Sequence, residues 1–93
     1  MALPSFRNLI LGAQVTSYAQ AIDLNDITQI GRYFINWRDG VTNIPSGMST
    51  SFHLIVENPA AGRIIQTIVN ASTAYTYRRV RKSTGEWSAW INL

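Results

Sequence analysis

Cysteine is absent from this 93-residue chain, and histidine occurs only once. The lack of cysteine excludes disulfides, thiolate nucleophiles and sulfur ligands for metals, so the fold must be stabilised by burial of its side chains. Charged residues are also few, at 14 % of the chain against 46 % hydrophobic residues. We therefore expect one folded domain whose surface is covered mainly by Ser, Thr, Asn and Gln.

The chain also lacks long apolar runs and the usual groups for catalysis. No stretch approaches the ~18 apolar residues of a membrane span, so we expect no membrane insertion. His53 and Glu57 lie on one face of a predicted strand, but at ~3.3 Å per residue they are ~13 Å apart, too far to share a metal ion or a proton. The few acids form no recognisable catalytic arrangement. The sequence thus predicts no enzyme activity, no cofactor and no metal site.

Basic residues are unevenly distributed in a chain of net charge +3. Four of them, Arg78, Arg79, Arg81 and Lys82, fall within five positions near the C-terminus. A net charge of +3, with no glycine-rich phosphate loop and no second basic strand, gives little electrostatic attraction for nucleic acid. We therefore expect no nucleic-acid partner.

Alternating and β-branched segments predict a mainly β fold, an antiparallel meander of four to five strands. A short helical turn is predicted ahead of the strands at residues 23–28, where the Asx side chains are expected to cap backbone amides. The predicted strands are residues 32–37, 51–57, 63–70, 75–82 and 87–93.

The last two predicted strands form a hairpin that is rich in aromatic residues and arginine. Tyr75, Tyr77, Arg79 and Arg81 alternate along one face of the first strand, a pattern that can stack nucleobases or sugar rings. An alternative is purely structural: the tyrosines pack on Trp87 and Trp90, and the arginines lie over aromatic faces or pair with Glu86 and Asp39. Because residues three apart in a strand point to opposite sides, Trp87 and Trp90 are expected on different faces.

A set of short motifs also resembles a known family. The motifs are Asp23-Leu24-Asn25-Asp26-Ile27-Thr28, then Gly31 and Tyr33, Pro45-x-Gly47, Leu54-Ile55-Val56, Ile64-Ile65-Gln66, Tyr77-Arg78-Arg79-x-Arg81 and Gly85-Glu86-Trp87-Ser88-Ala89-Trp90-x-x-Leu93. In this order and spacing, residues 23–93 resemble the pyocin knob domain, a module of R-type pyocin fibres and of many bacteriophage tail fibres and tailspikes.

The resemblance implies a non-enzymatic, homotrimeric fibre module, acting outside the cell in a virion tail fibre or bacteriocin fibre. It implies attachment to bacterial surface polysaccharide or lipopolysaccharide, with residues 17–93 as the knob and residues 1–16 as a linker or interface segment of a longer fibre. The expected ligand-binding residues, chosen by side-chain type, are Tyr33, Trp37, Tyr75, Tyr77 and Arg79.

Two other functions stay open at this point. One is a structural trimerisation or connector module of a fibre or tailspike that makes no direct receptor contact. The other, less favoured, is a fragment of a polysaccharide depolymerase, in which Asp23, Asp39 or Glu57 would take part in cleavage.

Overall fold

The computed structural model describes residues 15–93, which form one six-stranded sheet with strand order β1-β2-β3-β4-β5-β6. This confirms the prediction of a mainly β fold. The elements are β1 Val15–Tyr18, a single 3-10 helix Leu24–Asp26, β2 Gly31–Ile35, β3 Phe52–Ala60, β4 Arg63–Asn70, β5 Thr76–Arg81 and β6 Ile91–Asn92.

Strands β2 to β6 form the expected antiparallel meander, but β1 was not predicted. It pairs in parallel with β2, with Val15 opposite Arg32 and Tyr18 opposite Ile35. The intervening chain is long enough for the crossover that a parallel pair requires, and it contains the 3-10 helix. Three of the four β1 residues are exposed, so β1 has no alternating apolar pattern that sequence reasoning could detect. Residues 1–14 of the predicted 1–16 linker lie outside the described residues.

The core lies on one side of the sheet, here called the inner face. Alternate residues of β3 and β4 point into it, and the loops between β1 and β3 cover it. Its fully buried side chains, each exposed by less than 2 %, are Phe52, Leu24, Ile35, Leu54, Ile68, Gln66 and Val56.

The opposite side of the sheet, the outer face, carries a second apolar set. The alternation of each strand places Phe34, Ile55, Ile65, Val69 and Val80 there, and all five are half-buried rather than buried. His53 also lies on this face, with its ring edge-on to Phe34 at 5.4 Å between centroids. The outer face is therefore apolar without being closed off from solvent.

The 3-10 helix is held by the predicted capping residue and by a neighbouring loop. Oδ1 of Asp23 accepts a hydrogen bond from the Asn25 amide at 2.8 Å, which confirms the expected cap. The same oxygen accepts from Nδ2 of Asn43 at 2.6 Å, and the Leu24 amide donates to the carbonyl of Thr42 at 3.2 Å. These bonds place Leu24 over the inner face, where it is fully buried.

The C-terminal segment docks on β5, as expected, but residues 87–93 are not a continuous strand. Trp87 forms an isolated bridge with Arg81, and pairing resumes only at β6. Between them the backbone leaves the strand path at Ser88, whose Oγ accepts from the Val80 amide at 3.0 Å. The strict alternation is lost, and both Trp87 and Trp90 contact Arg79, so the prediction that they face opposite sides is wrong.

Candidate functional site

An open cleft lies between the loop before β3 and the turn that connects β4 to β5. Its volume is about 260 Å³, which is small for a ligand pocket and suits one ring-sized group better than a buried molecule. The residues that line it are Ser46, Gly47, Met48, Ser49, Thr50, Asn70, Thr73, Tyr75 and Tyr77.

Tyr75 is the most exposed aromatic side chain of the cleft, at 60 %. A turn built on Asn70 presents it: Oδ1 of Asn70 accepts from the amides of Ser72 at 2.8 Å and Thr73 at 3.1 Å. The Asn70 amide in turn donates to the carbonyl of Tyr75 at 2.9 Å. Polar side chains that bond their own turn in this way fix its conformation, so the Tyr75 ring is held out in solvent by a rigid support.

Ala74, immediately before Tyr75, has a φ of 63°. A non-glycine residue in this left-handed region costs on the order of 1–2 kcal/mol, because its Cβ approaches the following carbonyl oxygen. Backbone strain of this kind is found preferentially at binding and active sites. The strained residue therefore marks the same turn that presents Tyr75.

The opposite wall of the cleft is a tight turn followed by small hydroxyl residues. The Met48 amide donates to the carbonyl of Pro45 at 3.2 Å, and Gly47 has a φ of 80°, which the turn requires. Further along, Oγ1 of Thr50 is buried and has no hydrogen-bond partner within residues 15–93. A buried hydroxyl without a partner is costly to the fold, and this oxygen has almost no surface that a ligand could reach.

The lining combines aromatic rings with uncharged hydrogen-bonding groups. Hydroxyls of Ser, Thr and Tyr both donate and accept, and the Asn70 amide adds a further polar group. In the part of the chain that the structure describes, no three His, Cys, Asp or Glu side chains lie close enough to hold a metal ion. The chemistry available to this cleft is stacking and neutral hydrogen bonding.

Of the five predicted ligand-binding residues, the structure brings only Tyr75 and Tyr77 together in this cleft. Tyr33 is buried at 6 % exposure, and its hydroxyl donates to the carbonyl of Gln29 at 2.6 Å. Burial raises the pKa of the Tyr33 phenol above its usual value, and neighbouring Tyr18 adds to the rise. Trp37 is half-buried against the core. Sequence reasoning did not identify the wall at residues 46–50, although its small hydroxyl residues are visible in the sequence.

Arg79, the fifth predicted residue, is buried at 4 % exposure within an aromatic cluster. Its guanidinium carbon lies 3.9 Å from the ring centroid of Trp87 and 4.7 Å from that of Trp90. Arg81 also approaches Trp87, at 5.8 Å. These contacts confirm one part of the structural alternative, the arginines over aromatic faces. The aromatic pairs found within residues 15–93 do not include Tyr75 or Tyr77 on either indole, so the other part is not borne out.

The polar groups of the Arg79 cluster connect the 3-10 helix to the sheet. Nε of Arg79 donates to Oε1 of Gln66 at 2.8 Å, and its NH2 group donates to Oδ1 of Asn25 at 2.9 Å. Nε2 of Gln66 donates to the carbonyls of Leu24 at 2.7 Å and Ile27 at 2.9 Å. Together these residues form the Arg79 cluster, which consists of Asn25, Gln66, Arg79, Trp87 and Trp90.

Burial lowers the pKa of Arg79 to about 10, while the charge of Asp23 acts in the opposite direction. Arg79 therefore remains protonated at neutral pH, and its positive charge is available to both indole rings. The five cluster residues come from the Asp-Leu-Asn, Ile-Gln, Tyr-Arg-Arg and Trp-Ser-x-Trp motifs that carried the family resemblance. One structural unit thus accounts for four motifs that are far apart in the sequence.

No helix within residues 15–93 is long and apolar enough to cross a membrane. No family model, curated protein sequence or solved structure matches the chain.

Proposed function

We propose that this chain is a non-enzymatic knob module of a bacteriophage or bacteriocin tail fibre, and that it attaches to glycan on the bacterial surface through the Tyr75 cleft. The observation that carries the proposal is the exposed Tyr75 ring, which a hydrogen-bonded turn presents in the same cleft as Tyr77 and a wall of hydroxyl groups. Sugars present an apolar ring face together with hydroxyls, and they are bound by flat aromatic rings flanked by polar groups. The family resemblance supports the same setting, with the fibre acting outside the cell.

A rigid support for an exposed ring is favourable for recognition. Each contact with a sugar is weak, so affinity depends on how little order the protein must gain on binding. The Asn70 turn has already fixed the backbone on both sides of Tyr75. The backbone of the turn thus needs little reorganisation on binding, and only the torsions of the Tyr75 side chain are left to be ordered.

The proposal is tested by titrating the 93-residue chain with purified lipopolysaccharide and capsular polysaccharide from a panel of bacteria. We expect Tyr75→Ala to weaken binding about tenfold without a change in thermal stability, because the ring is mostly exposed. The matched control is Ile30→Ala, which removes a side chain that is 69 % exposed and does not line the cleft. Absence of binding to every glycan tested, or equal binding by Tyr75→Ala and wild type, would contradict the proposal.

A second candidate function is a trimerisation or connector module of a fibre without receptor contact. The outer face favours it, because five apolar side chains there are only half-buried, and Ile91 and Leu93 at the terminal edge are 60 % and 61 % exposed. Apolar surface of this kind is typical of subunit contacts. Sedimentation of the chain at increasing concentration distinguishes the two functions. A chain that stays monomeric at all concentrations would contradict the trimerising module. A trimerising module does not require glycan binding by Tyr75.

A further inference from the structure

We propose that the Tyr75 cleft is selective for an uncharged saccharide with an apolar ring face, such as a 6-deoxyhexose or an N-acetylhexosamine, and discriminates against uronic acids and phosphorylated sugars. This inference rests on the proposed glycan-binding function and specifies the chemical class of the ligand. Bacterial surface polysaccharides include both neutral and acidic sugars, so the two classes are real alternatives for this chain.

The electrostatics of the cleft provide the first argument. No lining residue carries a charge in the described part of the chain. The cations closest in sequence to Tyr77 make their contacts outside the cleft. Arg78 lies on the outer face, with its Nε 3.4 Å from Oγ1 of Thr67. Arg79 is buried between the indoles. An ionised carboxylate or phosphate that enters the cleft would find no ion-pair partner among the lining residues, so any water that it loses there is not compensated.

The composition of the lining provides the second argument. The two tyrosine rings offer apolar surface, and the exposed side chains of Ser46, Ser49 and Thr73 offer hydroxyls. A neutral sugar with one apolar face matches both kinds of surface.

The net charge of +3 acts in the opposite direction, since it attracts anions at long range. That attraction is screened by salt, over a Debye length of ~30 Å at about 0.01 M and ~3 Å at about 1 M. Stacking and neutral hydrogen bonds do not depend on screening. The dependence of affinity on salt therefore distinguishes recognition in the cleft from general attraction of anions.

The experiment uses the 93-residue chain labelled with ¹⁵N and follows amide shifts during titration with methyl α-rhamnoside, methyl N-acetylglucosaminide and methyl glucuronide. We expect a neutral glycoside to shift the amides of the cleft, with an affinity that is the same at low and high salt. Tyr75→Ala should weaken this binding roughly tenfold. Tighter binding of the glucuronide in the cleft would overturn the inference and leave the proposed glycan-binding function intact, whereas no shift with any glycoside or with bacterial polysaccharide would overturn both.

Two further variants make the test independent of any one substitution. Thr50→Val keeps the shape of the side chain and removes the buried, unpartnered hydroxyl, so it is a control that should raise the melting temperature and leave the affinity for the neutral glycoside unchanged. Ser49→Lys adds a cation to the exposed rim and should strengthen glucuronide binding ~2–5-fold, the factor expected for an exposed ion pair. If Ser49→Lys left the preference for neutral glycosides unchanged, the assigned ligand chemistry would be wrong.

Discussion

Replacement of Arg79 by methionine tests whether the Arg79 cluster stabilises the fold. The change removes the hydrogen bonds to Gln66 and Asn25 and the contacts with two indole rings. Hydrogen bonds from a charged group contribute ~1.5–3 kcal/mol each and cation–π contacts ~0.5–2 kcal/mol each, so the gross loss is roughly 4–10 kcal/mol.

Part of this loss is offset, because removal of the guanidinium also removes the cost of burying its charge, the effect that lowers the pKa of Arg79. Gln66, with 0 % exposure, is left with an unpaired carbonyl oxygen. We therefore expect a net loss of ~3–5 kcal/mol in the free energy of unfolding, as is typical when one partner of a buried polar pair is removed. A domain of this size has only ~5–15 kcal/mol in total, so the variant should be close to unfolding.

The assay is urea denaturation followed by tryptophan fluorescence, which reports directly on the cluster because two of the three tryptophans contact Arg79. The control is Arg78→Met, an exposed neighbour on the other face of the same strand, for which we expect a loss of less than ~1 kcal/mol. The double variant with Gln66→Met should lose less than the sum of the single variants, with a coupling energy of ~1–3 kcal/mol. Equal effects of Arg78→Met and Arg79→Met would refute the reasoning.

Three further predictions concern the two indole rings of the Arg79 cluster, the turn at Gly40 and the buried phenol of Tyr33. Trp87→Ala and Trp90→Ala should each cost ~2–4 kcal/mol in chemical denaturation, because both rings cover Arg79; a large loss at only one of them would contradict the shared face. Gly40→Ala should cost ~2–3 kcal/mol, since Gly40 has a φ of 96° and an added Cβ would lie 2.8 Å from Cβ of Ala21, and an unchanged melting temperature would refute this. The folded state raises the pKa of Tyr33, so its contribution to stability is complete below the unfolded pKa and is lost as pH rises through the higher folded value. The stability difference between wild type and Tyr33→Phe should therefore be constant at neutral pH and shrink at alkaline pH, and a difference that grows there would reverse the assigned sign.

The strands of the meander could be predicted because their side chains alternate between two environments. The predicted bounds of β4 match the observed Arg63–Asn70, where turn residues flank a β-branched run. β1 could not be found in this way, since its residues are mostly exposed and its parallel pairing depends on a distant partner. The terminal strand is less regular than predicted. The hydroxyl of Ser88, rather than a backbone carbonyl, accepts the hydrogen bond from the Val80 amide.

The candidate site was only partly predictable for a related reason. Aromatic residues can be recognised in a sequence as possible ring platforms, but their exposure is decided by the fold. Tyr75 is exposed because a turn presents it, whereas Tyr33 is buried by the same sheet. Likewise, Arg79 belongs to a buried network because its partner Gln66 lies directly opposite on β4, a register that the sequence does not reveal.

The Arg79 cluster and the Tyr75 cleft share no residue, although each includes a residue of β5. Residues 46, 49 and 73 on the rim of the cleft can therefore be substituted without disturbing the arginine and the indoles that keep the sheet and the 3-10 helix together. Such a division makes the domain a natural scaffold for diversification: a combinatorial library at these three positions should yield mostly folded proteins, and new specificities should evolve there at little thermodynamic cost.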